Sequence, residues 1–398
     1  MKIYKYILIC LIGIILFPTS CIIPFEPKGI RDTRGILVVE GIIMESGTTI
    51  KISRTVSMYD NSSENSFPEE SGVFDAHVNV IDDENNLIAI AELQIDDGKT
   101  SYIVSDSILF TPQRKYAIDI QIGDKRYQSA FVSPVRTPEI DEISWQKKID
   151  GSMDIMVSTH DPENQNKYYC WSFEEEWEIR SLQFGAYRYE ISSGELIEQS
   201  LFTPNNRYYC WASDKSKSFI LGSSDKLTEA TIKDKTIQNF PTNNTRFSYL
   251  YSILVKQYAL DKDAYMYFDN IKKNIEQSGS LFAPLLAETK GNITCITNPE
   301  EPVIGYIASA NEVSARVFID MQMIGGEDIY NCNYNASAAG QSEKTAYRIY
   351  ELEFAYAAGL GIVYVEQGIF HCSPIRCVDC TKRGGTKNKP DFWPNDHQ

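Results

Sequence analysis

The sequence predicts a mainly β fold with one prominent helix. Three observations carry that reading. From Gly35 onward apolar residues recur with a period of two rather than 3.6. Turn signals interrupt these runs at the ~8–12-residue spacing typical of sandwiches and barrels. Only the stretch near 261–278 keeps helical spacing over several turns. The composition permits real cores: 43% of the 398 residues are hydrophobic and 23% charged.

The elements follow in order. Ile36 to Met44 and Thr48 to Ser57 are β-rich and separated by Glu45-Ser46-Gly47, a hairpin signal. Ser57 to Ser71 is polar and acidic, as an exposed loop is. Val73 to Ile81 and Leu87 to Ile95 flank the turn Asp82 to Asn86, and Asp96-Asp97-Gly98 makes another. Tyr116 to Ile122 alternates cleanly and turns at Gly123-Asp124 into Lys125 to Ser133. Pro134 to Pro138 closes this unit, so residues 31–135 read as an immunoglobulin-like β-sandwich.

A larger β-rich domain is expected over 138–398. Ile143 to Lys147, Met153 to Thr159 and Tyr168 to Ile179 read as strands, and the pattern continues less regularly through Tyr187, Tyr208 and Phe219. Phe247 to Leu260 is a long β-branched and aromatic strand feeding the helix. Asp261 can cap that helix, apolar residues fall at Ala264, Tyr265, Phe268, Ile271 and Ile275, and Gly279 ends it. Phe354 to Val365, the longest apolar run after the N-terminus, reads as buried strand.

The N-terminus reads as an address. Lys2 and Lys5 precede an apolar run from Ile7 to Phe17, which is short of the ~20 residues that span a bilayer. Thr19-Ser20-Cys21 then places small residues before a cysteine, as a bacterial lipobox does. The expectation is a lipoprotein signal peptide at 1–20, lipid on Cys21 and a proline-containing tether over 21–30. Acids outnumber bases 54 to 38, for a net charge of −16, so the chain does not suit nucleic acid, whose phosphates need Lys and Arg.

Several segments together resemble a Bacteroidota lipoprotein family catalogued as domain of unknown function 4249. They include Leu37-Val-Val-Glu-Gly41, Val157-Ser-Thr-His-Asp-Pro162, Tyr168-Tyr-Cys-Trp-Ser-Phe-Glu-Glu-Glu-Trp-Glu178, Asn298-Pro-Glu-Glu-Pro-Val-Ile-Gly-Tyr306 and Cys377-Val-Asp-Cys-Thr381. The resemblance implies an outer-membrane lipoprotein that often stands beside a TonB-dependent transporter. It implies no activity and no substrate.

Residues that could carry chemistry are few. His77, His160, His371 and His397 show no metalloprotease spacing, and there is no nucleophile elbow, P-loop or dinucleotide fingerprint. Glu174 and Glu176, in a run of acids ending at Glu178, have a spacing that permits a glycosidase pair, but an acidic solvated face is the simpler reading. Cys170 and Cys210 sit in matching Tyr-Tyr-Cys-Trp contexts and are paired here as a cross-strand disulfide. Cys295, Cys332, Cys372, Cys377 and Cys380 form a late disulfide cluster; zinc held by Cys372, Cys377 and Cys380 with His371 and His397 is the alternative. Seven cysteines beyond Cys21 leave one odd. Lys382, Arg383, Lys387 and Lys389 make a basic tail that suits an acidic partner or phosphorylated lipid headgroups, with a solvated loop as the simpler reading. The abundant aromatics fit strand formers packing a sheet, and alternatively stacking platforms for a ligand.

The functional expectation is therefore a non-catalytic outer-membrane lipoprotein, without cofactor. It would act as an accessory or ligand-capturing component of a TonB-dependent nutrient uptake system. It is held to the membrane by its N-terminal lipid, with a β-barrel transporter as partner. A structural or adhesive envelope module is the alternative, and a hydrolase a more distant one.

Overall fold

The computed structural model describes residues 35–55, 72–96, 99–105, 107–111, 113–203, 206–277, 291–320 and 346–394. The mainly β expectation holds. The first seven strands are β1 (Leu37–Ile43), β2 (Thr48–Arg54), β3 (Ala76–Asp82), β4 (Leu87–Asp96), β5 (Lys99–Val104), β6 (Tyr116–Ile122) and β7 (Lys125–Ser129). Next come β8 (Ile140–Lys147), β9 (Met153–His160), β10 (Tyr168–Arg180), β11 (Tyr187–Glu190), β12 (Glu195–Glu198), β13 (Tyr209–Lys215) and β14 (Ile220–Ser223). The long strands β15 (Thr231–Phe240) and β16 (Leu250–Ala259) lead into helix α1 (Lys262–Gln277). After it follow β17 (Ile293–Cys295), β18 (Val303–Ser309), β19 (Glu312–Asp320) and β20 (Ala346–Tyr347). The chain continues through α2 (Leu352–Ala357), β21 (Leu360–Glu366), β22 (Ile369–Pro374) and α3 (Ile375–Val378).

The first unit is a nine-stranded sheet of order β17-β7-β6-β3-β4-β5-β2-β1-β18. Its inward alternation buries Val39, Ile50, Ile52, Val80, Ile118, Ile120 and Tyr127 completely in one core. The boundary read at 135 does not close this sheet, because β17 and β18 return to it from beyond the helix. β18 pairs in parallel with β1, from Leu37 opposite Val303 to Ile43 opposite Ser309. That pairing satisfies the backbone groups along what would otherwise be an open edge. It also requires a glycine. Gly305 has φ +136°, and a Cβ there would stand 1.8 Å from the Val39 carbonyl oxygen.

The second unit packs the sheet β13-β10-β16-β19, with β14 continuing along β10, on the three strands β15-β9-β8. Trp171, Tyr251, Ile253 and Val255 fill the core between them. A polar chain runs through that core: the Trp171 indole donates to Gln257 Oε1 at 2.7 Å, and Gln257 Nε2 donates to the Pro138 carbonyl at 2.8 Å.

Helix α1 joins the two units. Asp261 caps it as expected, its Oδ1 accepting from the Ala264 N–H at 2.7 Å. Ala264 and Tyr267 are buried, and Phe268 and Ile271 are partly so, against Ile42 and Tyr306 of the first sheet and Tyr258 of the second. Among the described residues no helix is long and apolar enough to cross a membrane.

The strands β20-β22-β21, the hairpin β11–β12 and α2 form a small third cluster around Leu352, Ile362 and Phe370. Here the strand expected over Phe354 to Val365 is corrected. The chain is helical to Ala357, turns at Gly359 (φ +78°) and becomes β21 only from Leu360. A left-handed Gly ends the helix and redirects the apolar run, leaving Phe354 72% exposed.

The cysteine pairing is also corrected. Cys210 is bonded to Cys380, not to Cys170. In the antiparallel register of β10 and β13, Cys210 stands opposite Ile179. Cys170 lies nine positions further along β10, about 30 Å away at strand rise. Cys170 is opposite Leu221 instead, and its thiol is free and buried.

Candidate functional site

A groove of about 970 Å³ opens where the two units meet. The strand period builds both walls. On the first unit, Leu37, Val39 and Ile43 of β1 point into the core. Glu40 and Ile42 therefore point out, with Thr49 and Lys51 beside them on β2 and Ile103 on β5. On the second unit, Tyr169, Trp171 and Phe173 of β10 face the core, so Ser172 and Glu174 face the groove. Lys256 and Tyr258 of β16 lie opposite Ser172 and Cys170, and Glu312 of β19 lies opposite Tyr258. Phe268, Ile271 and Lys272 of α1 close one side.

The turn between β13 and β14 forms the rim. It is held to the sheet twice at Ser216, whose N–H donates to the Phe173 carbonyl at 2.9 Å and whose Oγ accepts from the Phe173 N–H at 3.1 Å. Lys217 and Ser218 project from this pinned turn into solvent. Phe219 then turns back to meet Tyr258 and Phe268 edge-on, with centroids 6.0 and 6.2 Å apart.

The groove is cationic in an acidic chain. Lys51, Lys215, Lys217, Lys256 and Lys272 face three glutamates. Each glutamate has a local partner. Lys256 Nζ lies 2.6 Å from Glu174 Oε1, the Tyr258 hydroxyl donates to Glu312 at 2.8 Å, and Glu40 lies directly across from Lys51. Burial raises the Glu40 carboxyl above its ordinary pKa, with Lys51 pulling the other way.

The same outer face of the second sheet is covered at its far end. The Trp211 N–H donates to the Thr386 carbonyl at 2.9 Å and the Thr386 N–H returns a bond at 2.7 Å, capping edge strand β13. Phe392 lies under the Arg316 guanidinium at 3.6 Å, and Trp393 is buried against Trp211 and Leu250. Arg316 in turn holds Glu176 at 2.7 Å. The bond from Cys380 to Cys210 fastens this C-terminal segment.

Behind the groove wall, on the core side of β10, Glu175 is fully buried. It accepts from the Tyr251 hydroxyl at 2.6 Å and from Gln238 at 3.3 Å, and it pairs with Arg246. Arg246 also holds Asp214 at 2.7 Å and lies 4.3 Å over the Trp177 ring. Burial pushes the Glu175 carboxyl up, while Tyr251 and Arg246 hold it down.

The family model described as Domain of unknown function (DUF4249) matches residues 22–316. The chain belongs to that family. No curated protein matches it. Among solved structures, a Salmonella alpha-2-macroglobulin mutant aligns at 6% identity and TM-score 0.18, covering 72% of this chain and 14% of that one. Native E. coli alpha-2-macroglobulin aligns at 7% identity and TM-score 0.17, covering 58% and 13%. The chain thus spans about one seventh of those proteins, and likeness at this level carries neither fold nor function.

The structure sorts the remaining candidates of this DUF4249 chain. Cys21, Cys332 and His397 lie outside the described residues. Cys377 is disulfide-bonded, as is Cys380, so neither thiolate is available for the zinc alternative. Among the described residues no group of three or more His, Cys, Asp and Glu could hold a metal. Cys295 and Cys372 are free and buried, and burial pushes the Cys372 thiol up to about 11. His371 stacks on Tyr364 at 4.4 Å, His160 Nδ1 lies 2.8 Å from Asp141, and His77 is exposed on β3. The acidic run on β10 is not the solvated face expected of it: Glu175 and Glu178 are fully buried, and Glu174 and Glu176 each hold a cation. Three of the four cations of the basic tail are spent internally too, while Lys382 is exposed. Arg383 donates to the Arg180 carbonyl, Lys387 to the Tyr209 carbonyl and Lys389 to Pro394 at 3.2 Å.

The groove itself was not legible as a site. Its lysines come from four separate segments, and only the alternating Lys215-Ser216-Lys217-Ser218-Phe219 could have signalled a charged rim beside an aromatic anchor.

Proposed function

We propose that this protein is a lipid-anchored outer-membrane component of a Bacteroidota TonB-dependent uptake system, and that it captures ligand in the groove between its two β units without chemical turnover. The observation that carries the proposal is the groove: a preformed, partly apolar cleft with a pinned aromatic rim and a local excess of lysine in a chain of net charge −16. The N-terminal apolar run and Thr19-Ser20-Cys21 support the anchor.

Affinity purification from native membranes tests the reading. A β-barrel transporter should accompany the tagged protein, and mass spectrometry of the N-terminal peptide should find diacylglycerol on Cys21. Recovery of the protein alone, with an unmodified Cys21, would overturn it.

A further inference from the structure

We propose that a second site, on the other flank of helix α1 from the groove, binds an organic ammonium that carries an oxygen acceptor beside its charge. The helix divides the two spaces by its own period. Phe268, Ile271 and Lys272 face the groove. Asp263, Met266, Tyr267 and Asn270, spaced three and four apart, line a separate cavity of about 730 Å³ against the first unit. That volume is of small-molecule size. Phe131, Val132 and Tyr306 supply apolar wall. The site is distinct from the groove, and neither reading depends on the other.

No lysine, arginine or histidine lines this cavity; among the described residues its charged groups are Asp261 and Asp263. Asp261 Oδ1 is engaged by the Ala264 N–H as the helix cap. Asp263 is exposed and holds no cation among the described residues. Burial pushes the Tyr306 phenol up to about 12, and both carboxylates add to the rise, so all three groups border one space. The Tyr306 and Tyr267 rings stand 5.3 Å apart, 33° from parallel. Carboxylates beside aromatic rings attract an organic cation through charge and through the ring quadrupoles together.

Tyr267 decides what else the ligand carries. It is only 3% exposed. The Gly305 N–H approaches its oxygen, yet its proton meets no acceptor among the described residues. The Gly305 carbonyl accepts from the Asn292 N–H at 3.2 Å, which places the hydroxyl at the inner wall that Gly291 and Asn292 form. A metal ion offers that proton no acceptor, and among the described residues no group of three or more His, Cys, Asp and Glu could hold one. An anion is repelled by the carboxylates, and an apolar ligand would strip water from Asp263 with no compensating bond. An ammonium with a neighbouring oxygen, as in an amino sugar or a lysyl peptide, answers both groups.

The test uses the full mature chain carrying Cys21→Ser, so that no detergent is needed. Glucosamine, an end-blocked Gly-Lys-Gly peptide and the N-acetylated form of each amine are titrated by calorimetry at neutral pH. One ammonium should bind per chain, at least tenfold more tightly than its N-acetylated form, and more weakly as salt is raised. Tighter binding of glucosamine assigns an amino-sugar source, and tighter binding of the peptide a lysyl source. Asp263→Asn should lower the affinity at least tenfold. Tyr267→Phe should weaken the ammonium severalfold without lowering Tm, because the proton it removes is bonded to nothing in the free protein. No binding of either ammonium, equal binding of the N-acetylated forms, or indifference to Asp263→Asn would overturn the proposal. A lower Tm with unchanged affinity in Tyr267→Phe would give the hydroxyl a purely structural role and overturn it as well.

Discussion

Cys210 and Cys380 are joined across 170 residues of sequence, with Cα atoms 5.7 Å apart. The bond fixes the C-terminal segment on edge strand β13, at one end of the sheet face whose other end is open as the groove. A loop this long contributes stability chiefly by restricting the unfolded chain, typically about 2–4 kcal/mol. Non-reducing peptide mapping should recover the Cys210–Cys380 cross-link. Cys210→Ser should lower Tm by roughly 5–15 °C, whereas Cys170→Ser should leave the bridge intact. A cross-link from Cys170 to Cys210 would refute the assignment.

Glu175 is a fully buried carboxylate of the second unit, paired with the partly exposed Arg246. Removing Glu175 leaves Arg246 its exposed partner Asp214 but strips the buried Tyr251 hydroxyl and Gln238 of their acceptor, and a buried donor left unsatisfied typically costs about 1–3 kcal/mol. Glu175→Leu should therefore destabilise by about that amount in denaturant titration. Glu175→Gln, which keeps an acceptor for Tyr251, should cost less. Equal losses for the two variants would show that the charge, which both remove, is what matters there and that the acceptor for Tyr251 is not.

Lys387 gives a pH dependence with a definite sign. Burial, aided by nearby Arg207, lowers its pKa to about 8 from the ordinary 10.5. Between those values the unfolded chain binds more protons than the folded one, so stability rises with pH across that window and is flat below it. Protease resistance of the C-terminal segment should increase from pH 8 to 10. Lys387→Met should remove that slope, and an unchanged slope in the variant would exclude Lys387 as its source.

Gly305 is the residue on which the parallel pairing turns. Gly305→Ala would drive a methyl into the Val39 carbonyl at a backbone angle L residues rarely adopt. The expected loss is about 3 kcal/mol or more, read by circular dichroism melting. Gly123→Ala, with open space around its Cβ, is the control and should cost far less.

Local patterns were largely readable. Tyr116–Ile122 alternates in sequence and is a strand with those bounds, and the helix capped by Asp261 lies within a residue or two of its expected ends. What could not be read was set by distance along the chain. Nothing in Val303-Ile-Gly-Tyr306 says that it pairs with Leu37–Glu40. The repeated Tyr-Tyr-Cys-Trp motif suggested a bond because its two copies look alike, but strand register, not likeness, decides which sulfurs meet. The acids of β10 alternate as expected, yet periodicity alone does not tell that one of their two faces is a core lined by Tyr251. The groove was invisible for the same reason, since its walls are the outward faces of two units read separately.

The return of β18 to β1 also orders events in time. A ribosome delivers β1 long before it delivers its parallel partner, so the first sheet lacks both β17 and β18 until the segment 293–309 has emerged. Until then the nascent chain carries an unsealed β edge that other chains could join. A fragment ending at 135 is stranded permanently in that condition, and it should precipitate or form multimers where the whole chain does not.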